Sequence, residues 1–357
     1  LFVISQVKLQ IDIFTDYTLV TSTLDISPQQ TGQALVLHGV DLELIELAIN
    51  GVALQTADYQ VNGEELSIAN VPSEHFVLTS VVKIYPAKNF ALEGLYLSKG
   101  MYCTQCEPEG FRKITYYLDR PDVLSLFTTT ITADKQHYPT LLANGNLIAQ
   151  GDAGEGRHFA TWQDPFKKPS YLFAMVAGNL ACLADTFTTM SGRQVALKIY
   201  VEAHDLRQCH HAMESLKASM RKKKKKYGRE YDLDIFMIVA VSHFNMGAME
   251  NKGLNIFNTS CVLAHPETTT DLGFQRVESV VAHEYFHNWS GNRVTCRDWF
   301  QLSLKEGFTV FRDQQFSADQ LSASVQRIED VTMLRNAQFS EDAGPLAHPV
   351  RPESFIE

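Results

Sequence analysis

The stretch DLGFQRVESVVAHEYFHNWSG, residues 271–291, decides the fold of the second half of this chain. Its apolar side chains recur at the three- and four-residue spacing of a helix: Val277, Val280, Val281 and Tyr285. This spacing predicts an amphipathic helix with one buried face. Asp271 is a candidate N-cap, and Gly291 is a candidate stop just beyond the last turn.

The predicted helix contains two histidines, His283 and His287, with Glu284 next to the first. Residues i and i+4 lie on one helix face with their Cβ atoms about 5–6 Å apart, so two imidazoles can bind one Zn²⁺. Glu284 points about 100° round the helix, which suits a general base beside the metal. The plain alternative is a pair of surface histidines.

A catalytic zinc site needs a third protein ligand and an open position for water. Glu306 is the candidate, since 18 residues separate it from His287 and the loop at 291–298 can reverse the chain. We predict a helix over Leu302–Phe311 that presents Glu306 to the histidines. Asp313 follows on the same face and is either a hydrogen-bond acceptor for a ligand imidazole or a solvated carboxylate.

Upstream of the histidines, the apolar run Ile235–Val241 predicts a strand that is buried on both faces. The sequence Gly-Ala-Met-Glu-Asn follows at 247–251. In a zincin-like fold, the strand edge beside the metal-binding helix binds the extended backbone of the substrate. Glu250 could pair with a cationic group of the substrate there. Taken alone, Glu250 is simply a carboxylate after an apolar strand.

The first half of the chain has the pattern of a β domain. Apolar residues alternate with mostly polar ones at Val7, Leu9, Ile11 and Ile13. The turn dipeptide Asn62-Gly63 separates two further short strands. We therefore predict a mostly antiparallel sandwich or saddle over residues 1–180, followed by an α/β domain over residues 181–357 with helices near 211–220 and 321–334.

Composition narrows the class of protein. With 357 residues, 45% apolar and 20% charged, the chain is globular rather than disordered. A formal net charge of −10 disfavours a dedicated nucleic-acid binder. No apolar run reaches the roughly 20 residues of a membrane span, and no leader opens the chain at Leu1.

Two further features have plain interpretations. Six cysteines are too few for a disulfide scaffold, and the lone pair Cys103 and Cys106 is a weak signal for metal or redox chemistry. The basic run Lys222–Lys226 is predicted to be a solvated helix end, with an anionic-surface patch as the alternative.

Several motifs together resemble one family. GAMEN at 247–251, HEYFH at 283–287, Glu306 and the flanking text NKGLNIFN at 251–258 are similar to the aminopeptidase N family of gluzincin zinc metallopeptidases, and to its bacterial alanyl aminopeptidases above all. The segments TQCE at 104–107 and YYLDRPD at 116–122 extend the resemblance through essentially the whole chain.

The resemblance implies a β-rich N-terminal domain followed by a thermolysin-like catalytic domain with one Zn²⁺ per chain. It implies these metal ligands: His283, His287 and Glu306. Glu284 would be the general base that deprotonates the zinc-bound water and passes the proton to the leaving amine. The implied residues that bind substrate are Glu250, Gln105 and Glu107 for the α-amine, and Met246, Gly247, Ala248, Met249 and Asn251 for the first side chain and the peptide backbone.

The implied activity is that of a zinc metallo-aminopeptidase of the alanyl aminopeptidase type. It would release Ala and other N-terminal residues from peptides with a free N-terminus, as a cytoplasmic monomer with no nucleic-acid or membrane partner. The family also uses a downstream Tyr as an oxyanion donor, and this sequence has none after Tyr285, so we expect an N-terminal fragment that is truncated within its catalytic domain and lacks full activity. The alternatives are a zinc endopeptidase, an epoxide hydrolase on the same scaffold, or an inactive zinc-binding fragment.

Overall fold

The structure, a computed structural model, describes residues 1–354 except for the side chains of residues 223–227. Most of the basic run Lys222–Lys226 therefore lies outside the described residues. Its first member, Lys222, has its Nζ 2.5 Å from Oδ2 of Asp319. This lysine pairs with a carboxylate on the chain itself.

The first half of the chain is built from strands, as predicted. They are β1 (Phe2–Ile13), β2 (Thr18–Pro28), β3 (Leu35–His38), β4 (Glu43–Ile49), β5 (Val52–Ala53), β6 (Tyr59–Asn62), β7 (Glu65–Ile68), β8 (Phe76–Ile84), β9 (Gly94–Ser98), β10 (Met101–Gln105), β11 (Ser125–Asp134), β12 (Thr140–Ala143), β13 (Asn146–Gly154), β14 (Arg157–Lys168) and β15 (Met175–Gly178). Eight of them form one sheet in the order β13-β14-β11-β1-β2-β8-β4-β5. Smaller sheets have the orders β12-β15-β10-β9 and β3-β7-β6.

Pairing in the large sheet follows the side-chain alternation. The four apolar residues predicted to face inward are all buried: Val7, Leu9, Ile11 and Ile13. Strand β1 runs parallel to β11 and antiparallel to β2. In the predicted hairpin, Asn62 pairs with Glu65, so the loop is Gly63-Glu64, and Gly63 adopts the positive φ of 60° that this short connection requires.

The second half combines a sheet with helices. Its strands are β16 (Ala181–Thr188), β17 (Gln194–Val201), β18 (Ile235–Val241), β19 (Ala248–Met249), β20 (Leu254–Asn258), β21 (Ser290–Gly291) and β22 (Val294–Thr295). Its helices are α1 (His210–Tyr227), α2 (Asp271–His287), α3 (Phe308–Gln320), α4 (Ala323–Met333) and α5 (Phe339–Asp342). The five-stranded sheet has the order β16-β17-β18-β20-β19, with β18 parallel to both of its neighbours.

Strand β18 explains why one apolar run has no polar alternation. Its residues Met237, Val239 and Val241 pack into the core of the first half of the chain. The residues between them, Phe236, Ile238 and Ala240, pack into a second core with α1 and α2. Because each face meets a different core, both sets of side chains are apolar, which confirms the predicted strand.

Some local predictions differ from the structure. Helix α2 is capped by Thr270, whose Oγ1 accepts a hydrogen bond from the Gly273 amide at 3.2 Å, and not by Asp271. The helix ends at His287, four residues before Gly291. Gly291 has a φ of 144°, and a Cβ there would lie 2.8 Å from Nδ1 of His287, so the glycine permits close approach to that ring.

The helix predicted over Leu302–Phe311 is irregular at its start. A short 3₁₀ turn at Trp299–Gln301 is followed by a π-helical turn at Ser303–Gly307, and regular α-helix begins only with α3. The π turn contains Glu306. Single π turns of this kind are frequent at functional sites, because they change the direction of side chains on the widened turn.

The six cysteines are free thiols, of which Cys182 is exposed and the others are buried. Across residues 1–354, no helix combines the length and the apolar character that crossing a membrane requires. The new sheet begins at Ala181, and the division of the chain into domains at residue 180 stays a prediction.

Candidate active site

Three side-chain atoms converge between α2 and the π turn. Nε2 of His283 lies 2.9 Å from Nε2 of His287, and Oε2 of Glu306 lies 3.2 and 3.3 Å from these two nitrogens. A tetrahedral metal with bonds of about 2.0–2.1 Å places neighbouring ligand atoms about 3.3 Å apart. The spacing therefore fits one small metal ion.

The outer nitrogens of both rings are held by acceptors. Nδ1 of His283 lies 2.6 Å from Oδ2 of Asp313, and Nδ1 of His287 lies 2.9 Å from the carbonyl oxygen of Ser290. Since a carbonyl or an ionised carboxylate can only accept, a neutral ring carries its proton on Nδ1. The Nε2 lone pairs then point at each other and at Glu306, an arrangement that a cation stabilises. Of the two alternatives for Asp313, this contact favours the hydrogen-bond acceptor.

Glu284 lies next to these atoms, in the wall of the cavity onto which they open, and is 5% exposed. Burial, with help from Glu250 and Glu306, raises the pKa of Glu284 to about 8 against the lowering effect of the two histidines. A carboxyl group that changes protonation near neutral pH is suited to proton transfer. The arrangement can therefore combine a metal ion with a general base.

Beside the three converging atoms lies a group of carboxylates around one ammonium group. Nζ of Lys305 is 2.7 Å from Oε1 of Glu250 and 3.1 Å from Oε1 of Glu306, and it also pairs with Glu107. Lys305 is buried and lies over the ring of Tyr171. The place where Glu107 and Glu250 meet therefore accommodates an ammonium group.

The charges of these carboxylates depend on their surroundings. Burial and the neighbouring Glu250 raise the pKa of Glu107 to about 7, although Lys305 opposes this. Burial also acts to raise the pKa of Glu250, but His287 and Lys305 outweigh it, and the pKa of Glu250 is lowered. Of the pair Glu107 and Glu250, Glu250 is therefore the one that keeps its charge at neutral pH.

A cavity of about 780 Å³ opens in front of both groups. It is lined by the predicted residues Glu107, Met246, Ala248, Glu250, His283, Glu284, His287 and Glu306. It is also lined by residues that were not predicted, among them Pro108, Trp299, Phe300, Leu302 and His348. Met246 lies at its edge with 48% of its surface exposed.

Four of the predicted substrate-binding residues do not line this cavity. Met249, the last residue of β19, is 1% exposed and packs into the core of the first half, because successive residues of a strand point to opposite sides. Asn251, beyond the end of β19, is fully buried. Gln105 is buried and donates from Nε2 to the Glu107 carbonyl at 3.2 Å. The Gly247 carbonyl accepts from the Asn258 amide at 2.9 Å.

Lys305 is the main residue that sequence reasoning missed. It directly precedes Glu306, so its position in the chain was a usable signal. A regular helix would place the two side chains about 100° apart. Here both residues lie in the π turn, and their side chains contact each other in the group of carboxylates around Lys305.

Comparisons with known proteins agree with this arrangement. The model of the Peptidase M1 N-terminal domain matches residues 5–172, and the model of the Peptidase family M1 domain matches residues 211–356. Aminopeptidase N of Caulobacter vibrioides is 57% identical over 359 residues, which cover 100% of this chain and 41% of that protein. Aminopeptidase N of Escherichia coli is 56% identical over 99% of this chain and 40% of its own length.

A solved structure, that of Legionella pneumophila aminopeptidase A in complex with aspartic acid, has a TM-score of 0.89 and 39% sequence identity. The match covers 92% of this chain and 39% of that one. The chain thus spans about 40% of the length of the curated relatives it matches. Both domain matches, the high identities and the shared structure show that the chain belongs to peptidase family M1.

Proposed function

We propose that this chain carries the active site of a zinc-dependent aminopeptidase that releases Ala and other N-terminal residues from peptides. The observation that supports this most is the position of Glu107 and Glu250. They surround the ammonium group of Lys305 directly beside the three atoms that fit a metal ion, which supports binding of a cationic amine at this place. An amine site directly beside a metal site suits cleavage of the first peptide bond, because the substrate's α-amine and its first carbonyl group are neighbours.

The proposed metal ligands are His283, His287 and Glu306, a two-histidine, one-carboxylate set that is common in zinc hydrolases. When bound, zinc would polarise the scissile carbonyl and acidify a water molecule. Glu284 would take the proton from that water and deliver it to the leaving amine. The cavity walls contributed by Met246 and Trp299 would hold the first side chain.

The amine-binding carboxylates separate this proposal from its alternatives. A charged N-terminus would form charge-assisted hydrogen bonds with Glu107 and Glu250 beside Lys305, whereas an acetylated one carries no charge to pair with them. An endopeptidase does not need these two carboxylates to bind an amine, so blocked peptides separate it from the proposal, and an assay on a lipid epoxide separates the epoxide hydrolase. A chain that only binds zinc needs no Glu284 in the cavity wall.

Hydrolysis of an alanyl arylamide and of its N-acetylated twin, each with and without a zinc chelator, tests the proposal. We expect the longer parent protein, loaded with zinc, to cleave the free-amine substrate alone, and the chelator to stop it. Equal cleavage of both substrates would leave a general zinc protease. No cleavage of either, with zinc bound, would favour the epoxide hydrolase or the binding fragment.

We further propose a cytoplasmic monomer that acts on peptides and binds no nucleic acid. The net charge of −10 supports the last point, and the family resemblance supports the others. Light scattering after size-exclusion chromatography tests the monomeric state, which a stable dimer would contradict. Cell fractionation tests the cytoplasmic location, which a membrane-bound pool would contradict.

Zinc affinity is expected to rise with pH across the neutral range. In the metal-free protein, burial lowers the pKa of His283, but the hydrogen bonds that its ring donates to Asp313 and Glu306 outweigh burial and raise that pKa to about 11. The pKa of His287 is raised as well, since Glu250 and Glu306 outweigh burial. Zinc binds the neutral imidazole, so protons must leave, and the affinity gains about tenfold per pH unit for each proton released below the raised pKa.

Calorimetry in two buffers with different ionisation enthalpies counts these protons. We expect at least one proton to be released per zinc at pH 7, and fewer in the Asp313→Asn variant, because the amide no longer favours protonated His283. An affinity that is independent of pH would contradict the proposed ligand pair.

A further inference from the structure

The turn between β12 and β13 contacts the segment that contains Glu250. Asn144, in this turn, is 3% exposed. Its Nδ2 donates to the carbonyl oxygens of Lys252 at 2.9 Å and of Leu172 at 3.0 Å, and its Oδ1 accepts from the Ala174 amide at 2.8 Å. One side chain of the first half therefore binds the backbone two residues after Glu250.

The two backbones are in direct contact beside this hydrogen bond. A Cβ added to Gly253 would lie 3.3 Å from the amide nitrogen of Gly145. A Cβ added to Gly145 would lie 2.1 Å from the carbonyl oxygen of Gln163. The Cβ added to Gly253 would also lie 2.8 Å from Cδ1 of Leu233, so both glycines sit in tightly packed surroundings, which leaves Asn144 little room to shift.

Other anchors of this segment come from the second half of the chain. Asn292 donates from Nδ2 to the Glu250 carbonyl at 2.7 Å. Nζ of Lys252 donates to Oδ1 of Asp232 at 2.5 Å and to Oδ1 of Asn288 at 2.8 Å. Asn144 differs from them because it ties the segment to the first half.

The first half also supplies Glu107. Strands β10 and β12 both pair antiparallel with β15, so they run in the same direction. Their C-terminal ends therefore lie at the same end of one sheet. Glu107 follows β10, and Asn144 follows β12. A single sheet therefore sets the separation between Glu107 and the side chain that holds the Glu250 segment.

We propose that Asn144 is a positioning residue that fixes Glu250 relative to Glu107, so that both carboxylates meet the α-ammonium group of the substrate together. This inference rests on the proposed function. It predicts that Asn144 acts on recognition of the free amine and not on the metal site, because its hydrogen bonds reach only the segment after Glu250 and backbone of the first half.

The test uses Asn144→Asp, which keeps the acceptor but cannot donate to the Lys252 and Leu172 carbonyls, and the smaller Asn144→Ser. Asn89 offers a matched control, since its Nδ2 donates to the carbonyls of Glu93 and Leu95 and its Oδ1 accepts from the Ala91 amide. Kinetics on the alanyl arylamide are measured with zinc-loaded protein. We expect the Asn144 variants to raise KM roughly 10- to 100-fold, with a smaller change in kcat.

The Asn89→Asp and Asn89→Ser variants should keep the wild-type KM. Hydrogen exchange gives a readout besides activity: backbone amides of residues 247–253 should exchange faster in the Asn144 variants, with zinc content unchanged. A KM and an exchange pattern equal to those of the Asn89 variants would overturn the positioning role. If the wild-type protein itself cleaves free-amine and acetylated substrates alike, it is the proposed function that fails.

Discussion

Replacing Glu284 by Gln is expected to lower kcat for the alanyl arylamide by about 10²–10⁴ and to leave the metal bound. Gln has the same shape but cannot accept a proton. Glu284 lies in the cavity wall beside the three converging atoms without being one of them. The metal site should therefore survive the substitution while proton transfer is lost.

Glu278 is a matched control on the same helix. It is partly buried, and burial raises its pKa too, but it does not line the cavity in front of the histidines. Glu278→Gln should keep the wild-type kcat. If Glu284→Gln retains most of its activity with zinc bound, Glu284 is not the general base.

Replacing His287 by Ala is expected to abolish zinc binding at micromolar metal and, with it, activity. The substitution removes one of the three converging atoms. Loss of a residue that only hydrogen-bonds to a ligand lowers metal affinity by roughly 10- to 100-fold, so loss of a ligand should lower zinc affinity by more. Competition with a chelating dye measures the affinity. His265→Ala is a control, since the ring of His265 accepts a hydrogen bond from the nearby Glu267 amide. Unchanged zinc affinity in His287→Ala would exclude this ligand set.

Much of the fold could be predicted because it depends on local patterns. Alternation located β1, and an unbroken apolar run located β18. The two histidines fell on one face of α2 through helical spacing alone. In each case the signal lies within a few residues of the element that it predicts.

The parts that could not be predicted depend on contacts between distant segments. Lys305 reaches Glu107 across 198 positions of sequence, and Asn144 reaches Lys252 across 108. No periodicity encodes such pairs. The motif at 247–251 suggested that all of its residues meet the substrate, but Met249 and Asn251 are buried and do not line the cavity.

The most direct test of the central claim is the anomalous scattering of crystals of the zinc-loaded protein at the zinc absorption edge. We expect one peak per chain, about 2.0–2.1 Å from Nε2 of His283 and Nε2 of His287 and about 2.0–2.2 Å from a carboxylate oxygen of Glu306. Glu107 and Glu250 should remain free of metal. A peak between Glu107 and Glu250, or none beside the histidines, would contradict the proposed metal site.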